Sequence, residues 1–267
     1  MRDHARGHPQ SREADTRFRS ERTDGLSGTL FVVATPIGNL EDITLRALRV
    51  LREADLVACE DTRRTRALLT HFDIHKPTVS YYEHNKLTRG RELLRELAAG
   101  RSIALVTDAG TPGISDPGVL LVREARAHGV PVVPVPGPAA LVAGLSAAGL
   151  PADRFVFDGF LPVKPGKRIN RLTALRALAT TVVLYESPHR IVATLGAIGE
   201  VYGEVELVVA RELTKQYEEV VTATPAAHLT RLAAGPVRGE FTLVIPAAKA
   251  VRVEAEGDAD PEPGDTR

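Results

Sequence analysis

The chain has 267 residues, 43% of them hydrophobic and 25% charged, with 34 basic and 34 acidic side chains summing to zero formal charge. This describes a globular protein with ample core, and the neutral balance argues against a general nucleic-acid coat. One cysteine, Cys59, excludes an internal disulfide framework or a cysteine-rich zinc site, and no run reaches the roughly 18 unbroken apolar residues of a membrane span.

The N-terminal "MRDHARGHPQ" has no apolar signal core, so a cytoplasmic protein without membrane partners is expected. Residues 1–29 carry six Arg against five acids, and residues 251–267 carry two Arg against six acids. The segment between holds 26 basic and 23 acidic residues and is mildly basic. The ends lack apolar periodicity, so 1–28 and 249–267 read as disordered tails.

"LFVVA" (30–34) predicts a strand, and "ITLRALRVLRE" (43–53) a helix with Arg46, Arg49 and Arg52 on its solvated face. "DLVAC" (55–59) and "TRRTRALLTHF" repeat the pair, with Cys59 as a small buried thiol. "TVSYY" (78–82) and "LTRGRELLRELAAG" repeat it again. "SIALVT" (102–107) and "VPVVPV" (130–135) bracket a helix over about 117–128. Continuous Val/Ile/Leu runs suit strands covered on both faces, so 29–137 reads as an α/β domain with a largely parallel sheet. Five strand runs follow in "RFVFDGF", "TVVLYES", "VELVVAREL", "YEEVVTAT" and "EFTLVI", with closer spacing and fewer helices. They predict a smaller mixed α/β domain over 138–248, with its last strands antiparallel.

Polar or Gly/Pro-rich turns follow each strand of the first half: "TPIGN", "EDTRRT", "YEHN", "DAGTPGISDPG" and "PGPAA". All fall at the carboxyl edge of the sheet, where open α/β folds bind ligands. In "TDAGTPGISDPG" (107–118), glycines allow close backbone approach and prolines stiffen the loop. Neither a phosphate-binding G-x-x-x-x-G-K-[ST] nor a dinucleotide G-x-G-x-x-G is present. Asp116, preceding Pro117, reads as a structural turn residue.

A longer pattern is specific. "VVATPIGNLEDITLRALRVLREADLVACEDTRRT", "LVTDAGTPGISDPG", "VPGPAALVAGLSAAGLPADRFVFDGFLP", "YESPHR" and "RELTKQYEE" resemble the ribosomal RNA small-subunit methyltransferase I family, of the tetrapyrrole-methylase fold, over about 29–246. The resemblance implies two α/β domains with S-adenosylmethionine in the cleft between them, and a homodimer. It also implies 2′-O-methylation of a cytidine ribose in the decoding region of small-subunit (16S) rRNA. The cofactor residues it implies are Pro36, Asp108, Gly110, Thr111, Ile114, Pro138 and Ala139. Some relatives continue past the last strand with a helical segment, where this chain runs into an acidic tail; the upstream chemistry is expected to survive that difference.

Activating a 2′-hydroxyl needs a proton acceptor or an orienting group. The candidates are His84, with Asn85 to orient the acceptor, and Glu60, Asp61, Glu186, Glu212 and Lys215. Lys215 serves equally as a phosphate contact. For the rRNA or 30S partner, Lys164, Lys167, Arg168 and Arg171 form an acid-free basic cluster. Arg63, Arg64 and Arg66 form a second, with Arg190 and Arg211 as additions. No metal site is expected. Two other readings stay open: a tetrapyrrole or protein methyltransferase of the same fold, and a non-catalytic RNA-binding assembly factor.

Overall fold

The computed structural model describes residues 28–248. The expected tails therefore lie, Gly28 apart, outside the described residues. The first sheet contains β1 (Leu30–Val33), β2 (Leu56–Cys59), β3 (Thr78–Ser80), β4 (Ile103–Leu105) and β5 (Val132–Val135) in the order β3-β2-β4-β1-β5. Every pairing in it is parallel. Helices α1 (Leu45–Glu53) and α2 (Thr62–His71) cover one face through Ala47, Val50, Leu51 and Leu69. The opposite face carries α3 (Lys86–Ala98) and α4 (Val119–Ala127), through Leu93, Leu97, Leu121 and Ala125. Burial between the helix layers explains why the central strands β1, β2 and β4 are apolar throughout, each fully buried Leu or Val contributing about 1.5–3 kcal/mol, whereas the edge strands β3 and β5 are only partly buried. Cys59 is fully buried, and burial pushes its thiol pKa up, which makes it inert.

Helix starts follow side-chain chemistry. Thr44 accepts a hydrogen bond from Ala47 N at 3.0 Å to cap α1, and Asp61 accepts one from Arg63 N at 2.8 Å to cap α2. Residues 136–139 then cross to the second sheet.

That sheet contains β6 (Phe155–Phe160), β7 (Thr181–Glu186), β8 (Leu207–Arg211), β9 (Glu219–Ala223) and β10 (Phe241–Ile245), ordered β6-β7-β10-β8-β9. β6 and β7 are parallel; the other pairings are antiparallel. Helices α6 (Pro165–Ala177), α7 (Ile191–Tyr202) and α8 (Pro225–Leu232) pack on one face. The other face receives α5 (Ala140–Ala147), whose Leu145 meets Val183, Val208 and Val244. The expectation of fewer helices in this half than in the first is corrected, since each half has four α-helices: α7 is apolar over so much of its surface that helical periodicity is weak. "GAIGE" within it also reads as a breaker, although Gly196 and Gly199 sit inside the helix. Insertion of β10 between β7 and β8 was likewise not foreseen.

Candidate functional site

The carboxyl edge of the first sheet meets the second sheet around a cavity of about 390 Å³. One wall is the 108–118 loop. Gly110 exchanges two backbone hydrogen bonds with Thr35, at 2.9 and 3.0 Å, tying this loop to the one after β1. The Thr35 hydroxyl adds a bond to Thr107 O at 3.0 Å. Thr111 Oγ1 donates to Pro138 O at 3.1 Å, fixing the same loop to the crossing segment. Gly110 has φ +88°, a left-handed conformation that side-chain-bearing residues rarely adopt. The loop therefore has one shape, presenting Asp108, Ala109, Gly110, Thr111, Ile114 and Asp116 to the cavity.

The facing wall comes from the second sheet. A β-bulge between Phe157 and Gly159 re-aims the end of β6, and Phe160 lines the cavity. Gly159 lets the first domain's loop come close, since a β-carbon there would stand 2.9 Å from Ser115 Oγ. Tyr185 stacks edge-to-face on Phe157, with centroids 4.8 Å apart, and its hydroxyl accepts Leu141 N at 2.8 Å. This satisfies one free N–H of α5, which has no side-chain cap of its own.

The expected cofactor residues mostly gather here. Asp108, Gly110, Thr111, Ile114 and Ala139 line the cavity. For Pro36 it is the neighbour Ile37 that does so, and Pro138 serves through its carbonyl. Asp108 is also structural: its carboxylate accepts Asp61 N at 3.0 Å and pairs with Arg64 at 3.4 Å. Glu60 lies beside it, its carboxyl pushed up by burial and then by the Asp108 charge.

The expected proton acceptors fare differently. His84 is exposed and does not line the cavity. Asn85 is committed to its own turn, accepting Tyr82 N at 2.8 Å and donating to Ser80 O at 3.1 Å. Glu186 lines the cavity, but is 2% exposed with both oxygens engaged, by Ser187 N at 2.8 Å and the Thr194 hydroxyl at 2.7 Å. Lys215 Nζ is 2.8 Å from both Glu212 Oε1 and Glu240 Oε2. Burial works to lower the lysine pKa, but the two carboxylates outweigh it and the net shift is upward. Lys215 is thus held protonated, the wrong state for a base. Glu212 is likewise taken up, its carboxyl held low because Lys215 and the Glu240 N–H outweigh burial.

The basic cluster divides. Arg168 is 6% exposed and donates to Pro162 O and Val163 O, so it staples its own loop and is corrected to a structural residue. Arg171 forms a bidentate pair with Asp158. Lys164 and Lys167 are exposed at the start of α6, as are Arg63 and Arg64 on α2. Asp116, read from sequence as a turn residue, lines the cavity and is likewise corrected. Tyr185, Phe160, Leu213 and Glu240 were not singled out, although Tyr185, Phe160 and Leu213 lie within "YESPHR", "RFVFDGFLP" and "RELTK"; only Glu240 falls outside those motifs.

The lining suits a nucleoside sulfonium: an apolar wall with short side chains for a flat ring and a carboxylate group for a cation. Among the described residues no cluster of His, Cys, Asp and Glu has metal-site geometry, and no helix is long and apolar enough to cross a membrane.

Residues 29–229 match the family described as tetrapyrrole (corrin/porphyrin) methylases. A protein of Mesorhizobium japonicum named ribosomal RNA small subunit methyltransferase I is 50% identical, covering 84% of this chain and 77% of its own length. Its namesake in Pseudomonas aeruginosa is 53% identical over 76% of this chain and 72% of its own. Among solved structures, uroporphyrin-III C-methyl transferase from Thermus thermophilus, complexed with S-adenyl homocysteine, superposes with a TM-score of 0.59 at 23% identity. That likeness covers 82% of this chain and 97% of the other.

Proposed function

The chain belongs to the tetrapyrrole methylase family, in the branch whose members are named ribosomal RNA small subunit methyltransferase I, and from that premise we propose that it methylates small-subunit rRNA with S-adenosylmethionine. The acceptor is the ribose 2′-oxygen of a cytidine in the decoding region, and the enzyme works as a cytoplasmic homodimer. The observation that carries this reading is the cavity between the sheets, with backbone and mostly short side chains of the 108–116 loop on one wall and Phe160, Tyr185 and Leu213 on the other.

S-adenosylmethionine would be held by Ile37, Gly110, Thr111, Ile114 and Ala139, and supplies an electrophilic methyl group on a positively charged sulfur. The apolar wall of Ile37, Phe160 and Leu213 excludes water, which strengthens electrostatics inside. Four lining carboxylates, Asp108, Asp116, Glu186 and Glu240, outnumber the two lining cations, Arg64 and Lys215, and bias the site towards a cation. In-line transfer then depends chiefly on holding both reactants in one geometry, which the Thr35–Gly110 and Thr111–Pro138 ties provide. Lys164 and Lys167 supply exposed positive charge for RNA phosphates, and Arg63 and Arg64, exposed but paired with Asp61 and Asp108, add to it.

The test is incubation with methyl-labelled S-adenosylmethionine and, in parallel, small ribosomal subunits or a porphyrinogen. The expected result is label in RNA that nuclease digestion releases as 2′-O-methylcytidine. Label in the porphyrinogen would favour the tetrapyrrole reading, and RNA binding without cofactor binding the assembly-factor reading.

A further inference from the structure

Four carboxylates line the cavity: Asp108, Asp116, Glu186 and Glu240. Three are committed to protein partners. Asp108 holds Asp61 N and Arg64, Glu186 holds Ser187 N and the Thr194 hydroxyl, and Glu240 holds Lys215. Asp116 has no partner of hydrogen-bond geometry among the described residues. Beside it lies the buried Thr107 hydroxyl, which has no partner at strict hydrogen-bond distance but is near enough to stabilise the Asp116 carboxylate. A carboxyl group with no ion-pair partner among the described residues, at the edge of a cavity and with a buried hydroxyl beside it, is placed to receive something.

We propose that Asp116 is the group that accepts the proton of the attacking ribose hydroxyl. The inference rests on the ribose-methylation reading above. As the 2′-oxygen bonds to the methyl carbon, the carbon–sulfur bond breaks and its electron pair stays on sulfur, leaving a neutral thioether. The O–H proton passes to the Asp116 carboxylate and then to water, and this release balances the lost sulfonium charge.

The surroundings suit that task. Burial pushes Asp116 up to about 6; the Thr107 hydroxyl opposes this, while Glu60, Asp108 and Glu240 add to it. From the second sheet Tyr185 is near enough to feel the Asp116 charge, its hydroxyl being engaged by Leu141 N. The cations lining the cavity, Arg64 and Lys215, are each bound to another carboxylate, so neither neutralises Asp116. A carboxylate near 6 is ionised at neutral pH yet far more basic than an exposed aspartate.

The experiment uses the full chain, small subunits and the nearly isosteric Asp116→Asn, with Asp116→Glu as the conservative rescue. Four readouts are taken: single-turnover methyl transfer across pH 5–9, calorimetric affinity for S-adenosylmethionine, affinity for small subunits, and carbon-13 NMR titration of labelled aspartate carboxyls in the ligand-free protein. In wild type the rate is expected to rise with pH and level off above about 6, as a carboxyl titrating near 6 requires. Asp116→Asn is expected to lose about 100-fold or more in rate and that acidic limb, while both affinities change less than about threefold. Asp116→Glu is expected to recover part of the rate and keep an acidic limb. The carboxyl resonance titrating highest should vanish in Asp116→Asn. Wild-type turnover matched by Asp116→Asn with an unchanged pH profile would overturn the proposal and leave the methyltransferase reading intact. No turnover by wild type on any small-subunit substrate would instead overturn that reading.

Discussion

The Lys215 side chain lies against Gly38 with no room between them. A β-carbon built on Gly38 would overlap Lys215 Cγ, stand 2.8 Å from Thr214 Oγ1 and 3.1 Å from Leu213 O. The loop after β1 thus touches the "RELTK" segment of the other domain directly, closing one end of the cavity. Gly38→Ala pushes against backbone as well as a lysine stem, so the seam must part. Expected is a loss of about 1–3 kcal/mol in urea unfolding, together with weaker S-adenosylmethionine binding by calorimetry. Unchanged stability and affinity would show that the seam tolerates the methyl group.

Asp116 carries a stability signature separate from its chemistry. A carboxyl raised from 3.8 to about 6 binds its proton more tightly in the folded state. Its contribution to stability is therefore full below about 4 and lost as pH rises through about 6. Asparagine cannot ionise and escapes that loss. The Tm of Asp116→Asn should accordingly exceed that of wild type by a margin that widens from pH 4 to pH 7; parallel melting curves would argue against the shift.

If Lys215 were a base, arginine could not replace it, because a guanidinium does not deprotonate near neutrality. As a permanently charged clasp for Glu212 and Glu240, it can be replaced in part. Lys215→Arg should therefore lose much less than the roughly 100-fold expected for removal of a general base. Lys215→Ala, which leaves two carboxylates facing each other, should be the more damaging change in both kcat and Tm.

Exposed and buried members of the basic cluster should separate by salt dependence. Lys164→Ala and Lys167→Ala should each reduce the slope of log K against log salt by about 0.7 for a single-stranded target. Arg168→Ala should leave the slope alone and lower the Tm, because its guanidinium serves Pro162 O and Val163 O. Equal slope changes at all three positions would mean that Arg168 turns outward to bind RNA.

The first sheet was readable because its central strands β1, β2 and β4 are largely buried between helices and most of its turns carry Gly, Pro or a capping Asp. Thr44 and Asp61 announce helices, and Gly110 announces a left-handed turn. The cavity's first-domain wall was readable for the same reason. Its second wall was not: Tyr185 and Phe160 lie on strands, and Glu240 just before one, whose facing direction depends on the bulge at Gly159 and on β10 entering between β7 and β8. Asp116 was misread because an Asp-Pro step is locally a turn signal. Only the tertiary fold shows that the carboxyl faces a cavity while its neighbours' oxygens are engaged. His84 and Asn85 erred the other way, since polar loop residues look catalytic until their own hydrogen bonds are seen.

The most direct check is calorimetric titration of S-adenosylmethionine into wild-type protein and into Ala109→Trp. Ala109 is exposed and lines the cavity, so an indole there fills space without disturbing either core. Expected are one site per chain in wild type and an affinity at least about 100-fold weaker in a variant whose Tm is unchanged, as loss of roughly 3 kcal/mol of contact implies. Equal binding by both proteins would place the cofactor somewhere other than between the two sheets.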